Sequence, residues 1–507
     1  MLATAEGGTR TRSWLYQRLW SSRQMQQAQA SLRRELSNLR PMLNGDGCVL
    51  RSDRQTVSLD LSRISTDLAG PLSADKAKEF LDELDLPDEP EFAGWREQQR
   101  QSLMKGGHSG AADIRPSLAL IVASADHDDA NAIGSAAIAI AERLARLRWL
   151  ALLTAPLIRV PRHSEEKLGE VARTLGPDYL LVCTDVPGSP HSLAITLQEG
   201  GGRVIWMTTR ELPQDQQPAH LIRIAEEVVA VLDARIGIDQ QTRALDRGPV
   251  EGLDTKAKVW RARWHMQRFT REDGAEAARL LEEAVRERPH DPDALLQRTV
   301  LRAWTALTSR AGKAEIESVR AEAERIKALD PLDARAHQVA GLCAMWLGDH
   351  ADALPMFEKA VELNPSLSSS YGFIGSCHLL SSDPEKAIPY FERALRLSTL
   401  NFEAFHQWGE MALAEFMLGN WAEAIAAADQ SLALRDRYIY GRLLKALALD
   451  ADGRRDQALA EWGRIPDQYR PAMQNLLEWL PFRDRQWNKR LLDGAARLDA
   501  GSTDGAR

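Results

Sequence analysis

The sequence predicts a multidomain α+β chain, in which a basic helix-and-ribbon module and a small α/β domain precede an all-α solenoid of helical hairpins. Three observations predict it. Small and aromatic residues recur 34 apart in the carboxyl-terminal half, as Gly341/Gly375, Ala353/Ala387, Phe357/Phe391 and Ala360/Ala394. Between 117 and 236 the apolar pattern switches between strand and helix periods. Ten arginines stand against five acids in the first 66 residues. The expected divisions are 1–66, an acidic connector over 67–114, an α/β domain over 115–240, the solenoid over 254–466, and capping helices with a tail over 467–507.

In the solenoid, Gly341 and Ala353 fall where the two helices of one hairpin cross most closely. Phe357 fills the space against the next hairpin, and Ala360 repeats the small-residue requirement. Gly375, Ala387, Phe391 and Ala394 repeat the set. This period and residue set resemble the tetratricopeptide repeat, which implies a binding surface for a protein or peptide. The pattern extends downstream through Trp408-Gly409 and Ala424, with three extra residues around 414–417, and through Leu449, Gly453, Ala458 and Trp462. Upstream it includes Trp264, Ala277, Ala284 and Pro289; the spacing of 42 from Pro289 to Pro331 predicts stretched helices or a longer turn there. Apolar-periodic helices over 471–480 and 486–498 read as the closure of the stack.

Composition narrows the function classes. The 507 residues carry a formal net charge of −8, an ordinary balance. The distribution is uneven: ten acids oppose five bases over 67–110, next to the arginine-rich start. Cys48, Cys183, Cys343 and Cys377 are scattered without paired spacing and read as core thiols. The apolar run from Trp149 is too short to span a bilayer, and no signal peptide opens the chain, so a cytoplasmic protein without a membrane partner is expected.

The amino-terminal module reads as a short helix over 12–19, with Trp14, Leu15, Leu19 and Trp20 apolar, and a longer one over 24–43. The second helix places Ala28, Leu32, Leu36, Leu39 and Leu43 on one side, and Arg33, Arg34, Ser37, Asn38 and Arg40 on the other. A turn at 44–47 and a two-stranded ribbon over 48–61 follow, the order of a winged helix. The stretches 14–20, 30–36, Leu39-Arg40 and 51–61 resemble the DNA-binding domain of bacterial transcriptional activators of the response-regulator winged-helix type, in its SARP-like version. The resemblance implies double-stranded promoter DNA as a partner. It makes Arg33, Arg34, Ser37 and Asn38 candidates for groove contacts, and Arg40, Arg51 and Arg54 candidates for phosphate contacts. Only the stretch Met1 to Arg10 precedes the helix containing Trp14, and 1–5 read as the tail of a further one, so a truncated winged helix is expected, its start upstream of Met1 or shortened. The stretches 80–88 and 91–100 resemble the connector helix of the same activators, and 105–110 reads as a flexible linker.

In the middle domain, strands are predicted over 118–123, 149–154, 178–184, 192–197 and 204–209, and helices over 131–147, 164–175 and 219–236. Gly200-Gly201-Gly202 reads as a hairpin turn and not a phosphate loop, because no lysine or helix start follows it. The stretches 172–181 and 202–206 resemble the TolB-amino-terminal-like domain that joins winged helices to tetratricopeptide repeats in bacterial regulators. Asp126-His127-Asp128-Asp129, after the first strand, reads as a capping loop for the helix at Asn131 rather than a ligand site. No nucleophile, zinc or phosphate-loop motif is evident, so no enzyme activity, cofactor or metal is expected.

Together the resemblances imply a DNA-binding transcriptional regulator whose solenoid binds a protein or peptide, the transcription machinery included. The alternative is a solenoid scaffold with a degenerate amino-terminal module that binds no DNA.

Overall fold

A computed structural model describes residues 1–2, 9–43, 49–60, 81, 84, 86, 89–104, 115–124, 130–153, 158–161, 165–212, 218–248, 252–398 and 404–504. The readings at 126–129, at Cys48 and at the 105–110 linker lie outside these residues, as does most of the expected helix tail at 1–5. The chain forms two compact units, Met1–Ile114 and Arg115–Arg507.

In the first unit, β1 (Thr9–Thr11) leads into α1 (Arg12–Leu19) and α2 (Met25–Leu43), followed by the ribbon β2 (Leu50–Ser52) and β3 (Thr56–Leu59). Both β1 and β2 pair antiparallel with β3. Thr11 caps α1 by accepting the Trp14 N–H. Leu15, Leu32, Leu36, Leu50 and Val57 form the core. The predicted apolar stripe of α2 is corrected at its far end: Ala28, Ser31, Leu32 and Leu36 are buried, whereas Leu39 and Leu43 are exposed. The core formed with α1 and the ribbon ends at Leu36, so the last two turns of α2 outrun it. The acidic connector supplies α3 (Pro90–Met104), whose Phe92 and Trp95 are buried and which packs on α1.

The second unit opens with a mixed sheet. Its strands are β4 (Ser117–Ser124), β5 (Ala151–Leu152), β6 (Ile158–Pro161), β7 (Tyr179–Val186), β8 (Ser189–Glu199) and β9 (Val204–Glu211). The order is β5-β4-β7-β8-β9, with β6 continuing along the edge of β4 that β5 occupies. The predicted strand over 149–154 is only two residues long, and β6 was not foreseen. β4 pairs parallel with β7, and β7, β8 and β9 run antiparallel. Helices α4 (Ala130–Leu144) and α6 (Pro218–Asp246) cover one face, and α5 (Glu165–Leu175) the other. In the β8–β9 turn Gly202 adopts φ +96°, a left-handed conformation that a side chain would strain. α6 runs six residues past the expected boundary at 240.

The solenoid follows as antiparallel hairpins: α7 (Thr255–Met266) with α8 (Arg271–Glu287), α9 (Pro292–Ser309) with α10 (Lys313–Leu329), and α11 (Ala334–Trp346) with α12 (His350–Leu363). The series continues with α13 (Ser368–Leu380) and α14 (Pro384–Leu397), α15 (Ala404–Leu418) and α16 (Trp421–Leu434), and α17 (Ile439–Ala451) and α18 (Arg455–Gly463). The wide spacing before Pro331 comes from stretched helices, 18 and 17 residues in α9 and α10 against 13 and 14 in α11 and α12. Finally α19 (Arg470–Trp479) and α20 (Gln486–Asp504) close the chain, α20 packing on α17 and α18.

The α/β domain and the solenoid belong to one unit because their surfaces interlock. Arg148 pairs with Asp330 at 2.8 Å, and Arg393 with the buried Glu226 at 2.9 Å. Arg146 donates to the Glu362 carbonyl at 2.6 Å, and the Trp149 and Trp260 rings meet edge to face. No helix among the described residues is long and apolar enough to cross a membrane.

Candidate functional site

The first helices of the first four hairpins line one face of the solenoid. Together with α6 and the α7–α8 turn, α7, α9, α11 and α13 enclose a groove of about 940 Å³. Capping fixes where these helices begin. Asp254 accepts from the Ala257 N–H at α7, and Asp291 from the Ala294 N–H at α9. Asp333 caps α11 through the Arg335 N–H and also pairs with the Arg335 guanidinium, which reaches Asp293 at 2.7 Å. Burial alone would lower the Arg335 pKa, but the two carboxylates hold it up.

Polar groups mark this wall. Trp149 Nε1 donates to Asp233 at 2.9 Å, and burial raises the Asp233 pKa. Arg263 lies over the Trp260 ring at 4.2 Å, and its Nη1 has no hydrogen-bond partner among the described residues. Gln338 Nε2 donates to the Ser369 hydroxyl at 2.6 Å and to that of Ser370 at 3.0 Å.

Ser369 also borders a second, smaller cavity of about 40 Å³. Its walls include Phe269, Trp304, Phe373, Phe405, His406 and Glu410. Ring centroids lie 6.4 Å apart for Trp304–Phe373, 6.4 Å for Trp304–His406 and 5.8 Å for Phe269–Phe405. Glu410 accepts from Ser376 Oγ at 3.4 Å and stands 3.9 Å from His406 Nε2, one helical turn away. Burial pushes the Glu410 carboxyl up to about 7 and the His406 imidazole down to about 4. Burial likewise raises the Tyr438 and Tyr440 phenols, with the Glu410 charge adding to it.

Every predicted DNA-contact residue lies on the surface of the first unit. Arg33, Arg34, Ser37, Asn38 and Arg40 are exposed on α2; Arg51 is exposed on β2 and Arg54 at the ribbon tip. Arg40 donates to the Ser52 hydroxyl, tying the end of α2 to the ribbon. Glu35 takes weak contacts from Arg34 and Asn38, both at 3.4 Å.

The repeat positions are all fully enclosed: Ala353, Phe357 and Ala360 in one hairpin, Ala387, Phe391 and Ala394 in the next. A Cβ on Gly341 would stand 2.9 Å from Phe357 Cε1, and one on Gly375 2.6 Å from Phe391 Cε1. Phe357 therefore packs first across its own hairpin and then stacks on Phe373 of the next, with centroids 5.5 Å apart. Sequence reasoning did not single out Phe269, Trp304 with His406, or Glu410 as one site, because they come from three hairpins. The local signal for Glu410 was an acid on the mostly apolar helix α15, one turn after a histidine. Cys183, Cys343 and Cys377 are buried and free, with burial pushing their thiols up to about 12, 12 and 11.

The family model described as Tetratricopeptide repeat matches residues 332–399. No curated protein matches the chain. Among solved structures, a thermophilic TPR protein from Thermus thermophilus is similar at 21% identity over 37% of this chain and 96% of its own, with a TM-score of 0.31. YrrB, a TPR protein with an unusual peptide-binding site, is 17% identical over 41% of this chain and 95% of its own, with a TM-score of 0.27. The APC/C hetero-tetramer Cut9–Hcn1 gives 16% identity, 56% and 49% coverage and a TM-score of 0.38. The chain carries tetratricopeptide repeats over residues 332–399, inside a longer series of helical hairpins.

Proposed function

We propose that this is a cytoplasmic binding protein, not an enzyme, whose solenoid seats an extended segment of a partner protein in the groove against α6. The observation that carries it is the groove itself. At about 940 Å³ it is large enough for several side chains, and Arg263 and Gln338 set polar groups among apolar ones on its walls. Filling it tests the reading. The full chain should retain a subset of peptides from an array tiled across the proteome of its source, and Ser369→Trp, at the junction of the two cavities, should abolish retention without shifting the unfolding midpoint. Equal retention by that variant would place the binding surface elsewhere.

A second activity, sequence-specific DNA binding by the first unit, is supported by the exposure of all seven candidate residues on one long helix and its ribbon. The pairing of β1 with β3 brings the ribbon back beside the start of α1, as a wing requires. With it the protein would be a transcriptional regulator that reports partner binding at a promoter. Counterion release makes affinity fall as salt rises. Arg33→Ala and Asn38→Ala should each cost about 1–3 kcal/mol and relax preference at one base pair. Arg51→Ala and Arg54→Ala should weaken specific and scrambled duplexes alike and reduce the salt slope by about one. Loss of affinity by all four variants equally on both duplexes would leave only a sticky basic face. No retardation of duplexes from the upstream region at low salt would leave the scaffold reading.

A further inference from the structure

The smaller cavity has a composition that an apolar peptide does not need. Phe269, Trp304, Phe373 and Phe405 present aromatic rings, and a carboxylate, Glu410, shares the wall with them. Only 13% of the Glu410 side chain is exposed, and no lysine or arginine among the described residues lies within ion-pair distance of it. A largely buried carboxylate held by one long hydroxyl contact is left short of partners. Aromatic rings carry the negative side of their quadrupoles on their faces, so a wall of four rings beside a carboxylate favours a cation at the same place.

Phe269 supplies the second, independent observation. Its backbone stands at φ 53°, a left-handed conformation that a bulky residue adopts only under constraint. The constraint is visible. Asp273 accepts from Thr270 Oγ1 at 2.6 Å, contacts His265 Nδ1 at 2.7 Å and accepts from Arg268 Nε at 3.0 Å, clamping both sides of the turn. The turn thus aims the ring across the groove at Phe405, 136 positions along the chain. The rim formed by these two rings already holds a guanidinium: Arg435 lies 4.7 Å from the Phe269 centroid and 4.9 Å from that of Phe405. Arg435 makes no ion pair with Glu410, so the carboxyl in the inner part of the site has no cationic side chain beside it among the described residues.

We propose that this cavity is an aromatic cage for the ammonium group of a lysine side chain on the bound partner segment. The proposal rests on the groove reading and names the chemistry that the groove selects. Lysine fits better than arginine. A space of about 40 Å³ holds a compact ammonium and the end of its stem, whereas the planar guanidinium needs the wider rim that Arg435 uses. The cation would meet Glu410, with the rings of Trp304 and Phe373 beside it, and it would offset the cost of ionising that carboxyl.

A pH dependence follows from the groups that face the site. Glu410 titrates near 7, while His406 is neutral above about 4. Burial raises the Tyr438 and Tyr440 phenols and lowers the Arg435 guanidinium from its very high ordinary value. Across pH 6–8 the change in charge therefore belongs to Glu410, and lysine binding strengthens as pH rises.

Calorimetric titration of the full chain with two blocked pentapeptides, Ala-Ala-Lys-Ala-Ala and its norleucine counterpart, tests this. The lysine peptide should bind about tenfold more tightly, the advantage should grow from pH 6 to pH 8, and Glu410→Gln should remove the advantage and its pH dependence. Equal binding of the two peptides, an unchanged advantage in Glu410→Gln, or binding of neither peptide overturns the cage. Peptides retained by an array without enrichment in lysine would overturn it too, while leaving the groove reading intact. No retention of any peptide would instead remove the groove reading.

Discussion

Single atoms set the tolerance of the repeat. At Gly375 a Cβ would stand 2.6 Å from Phe391 Cε1, closer than nonbonded carbons approach. Phe391 is itself fully enclosed and has no free volume to retreat into. Alanine would gain about 1 kcal/mol in helix propensity over glycine. The clash opposes that gain, and a larger side chain decides the sign. Gly375→Leu is expected to lower stability by about 1–3 kcal/mol, and Gly375→Leu with Phe391→Ala to lower it by less than the two single changes summed, because one side chain vacates the volume the other enters. Denaturant titration of the three variants measures both effects. An unchanged midpoint in Gly375→Leu would mean that α13 and α14 do not cross at this glycine.

At the level of elements, the contact between α3 and the α1–α2 turn shows what a composition shift conceals. Residues 67–114 read as an acidic connector, yet Glu89 is buried at the start of α3. It accepts from Ser21 Oγ at 2.8 Å, the Ser22 N–H at 2.9 Å and Ser22 Oγ at 2.9 Å. Burial pushes its pKa up, but the three hydrogen bonds more than offset this and leave it below the ordinary glutamate value. A depressed folded-state pKa contributes stability above the unfolded value, and that contribution is lost as pH falls through the folded one. Glu89→Gln should therefore cost about 1.5–3 kcal/mol at neutral pH. The wild type should approach the variant as pH falls below the carboxylate range. Hydrogen exchange of α1 and α2 in the full chain reads the difference, and a gap that persists in acid would show that Glu89 acts through shape rather than charge.

What the sequence discloses follows the same division. The 34-residue period is legible because each hairpin meets its neighbour through the same small and aromatic positions, so packing is written locally. The exposure of Leu39 and Leu43 was not legible, since it depends on where the partners of α2 end. Nor was the aromatic cavity, whose walls come from α9, α13, α14, α15 and the turn before α8, elements far apart in the sequence. Local pattern fixes elements; long-range closure assembles sites.

At the scale of the second unit, the solenoid is not a row of hairpins that touch only their neighbours. Arg435 and Phe405 meet the α7–α8 turn, and the chain after α18 runs back along the stack. Trp479 stacks on Trp346 with centroids 4.7 Å apart, Arg310 donates to the Ala472 carbonyl, and the Arg483 N–H donates to the Leu380 carbonyl at 2.8 Å. The His350 imidazole contacts the Pro481 carbonyl oxygen through Nε2 at 2.8 Å, with burial holding its pKa below the ordinary value. Met473, Leu477, Leu480 and Phe482 are buried in the same core as Leu342 and Phe373. A one-dimensional stack would confine the loss of its last segment to the adjoining hairpin. Here each of those four side chains contributes roughly 1.5–3 kcal/mol of burial, and the contacts beside them at Ala472, Trp479, Pro481 and Arg483 reach more than a hundred residues upstream. Removing residues 467–507 should consequently strip hydrogen-exchange protection from α11, α12 and α13 as well as from α17 and α18, and unfold the solenoid at markedly lower denaturant. Loss confined to α17 and α18 would show that the returning segment decorates the stack without holding it.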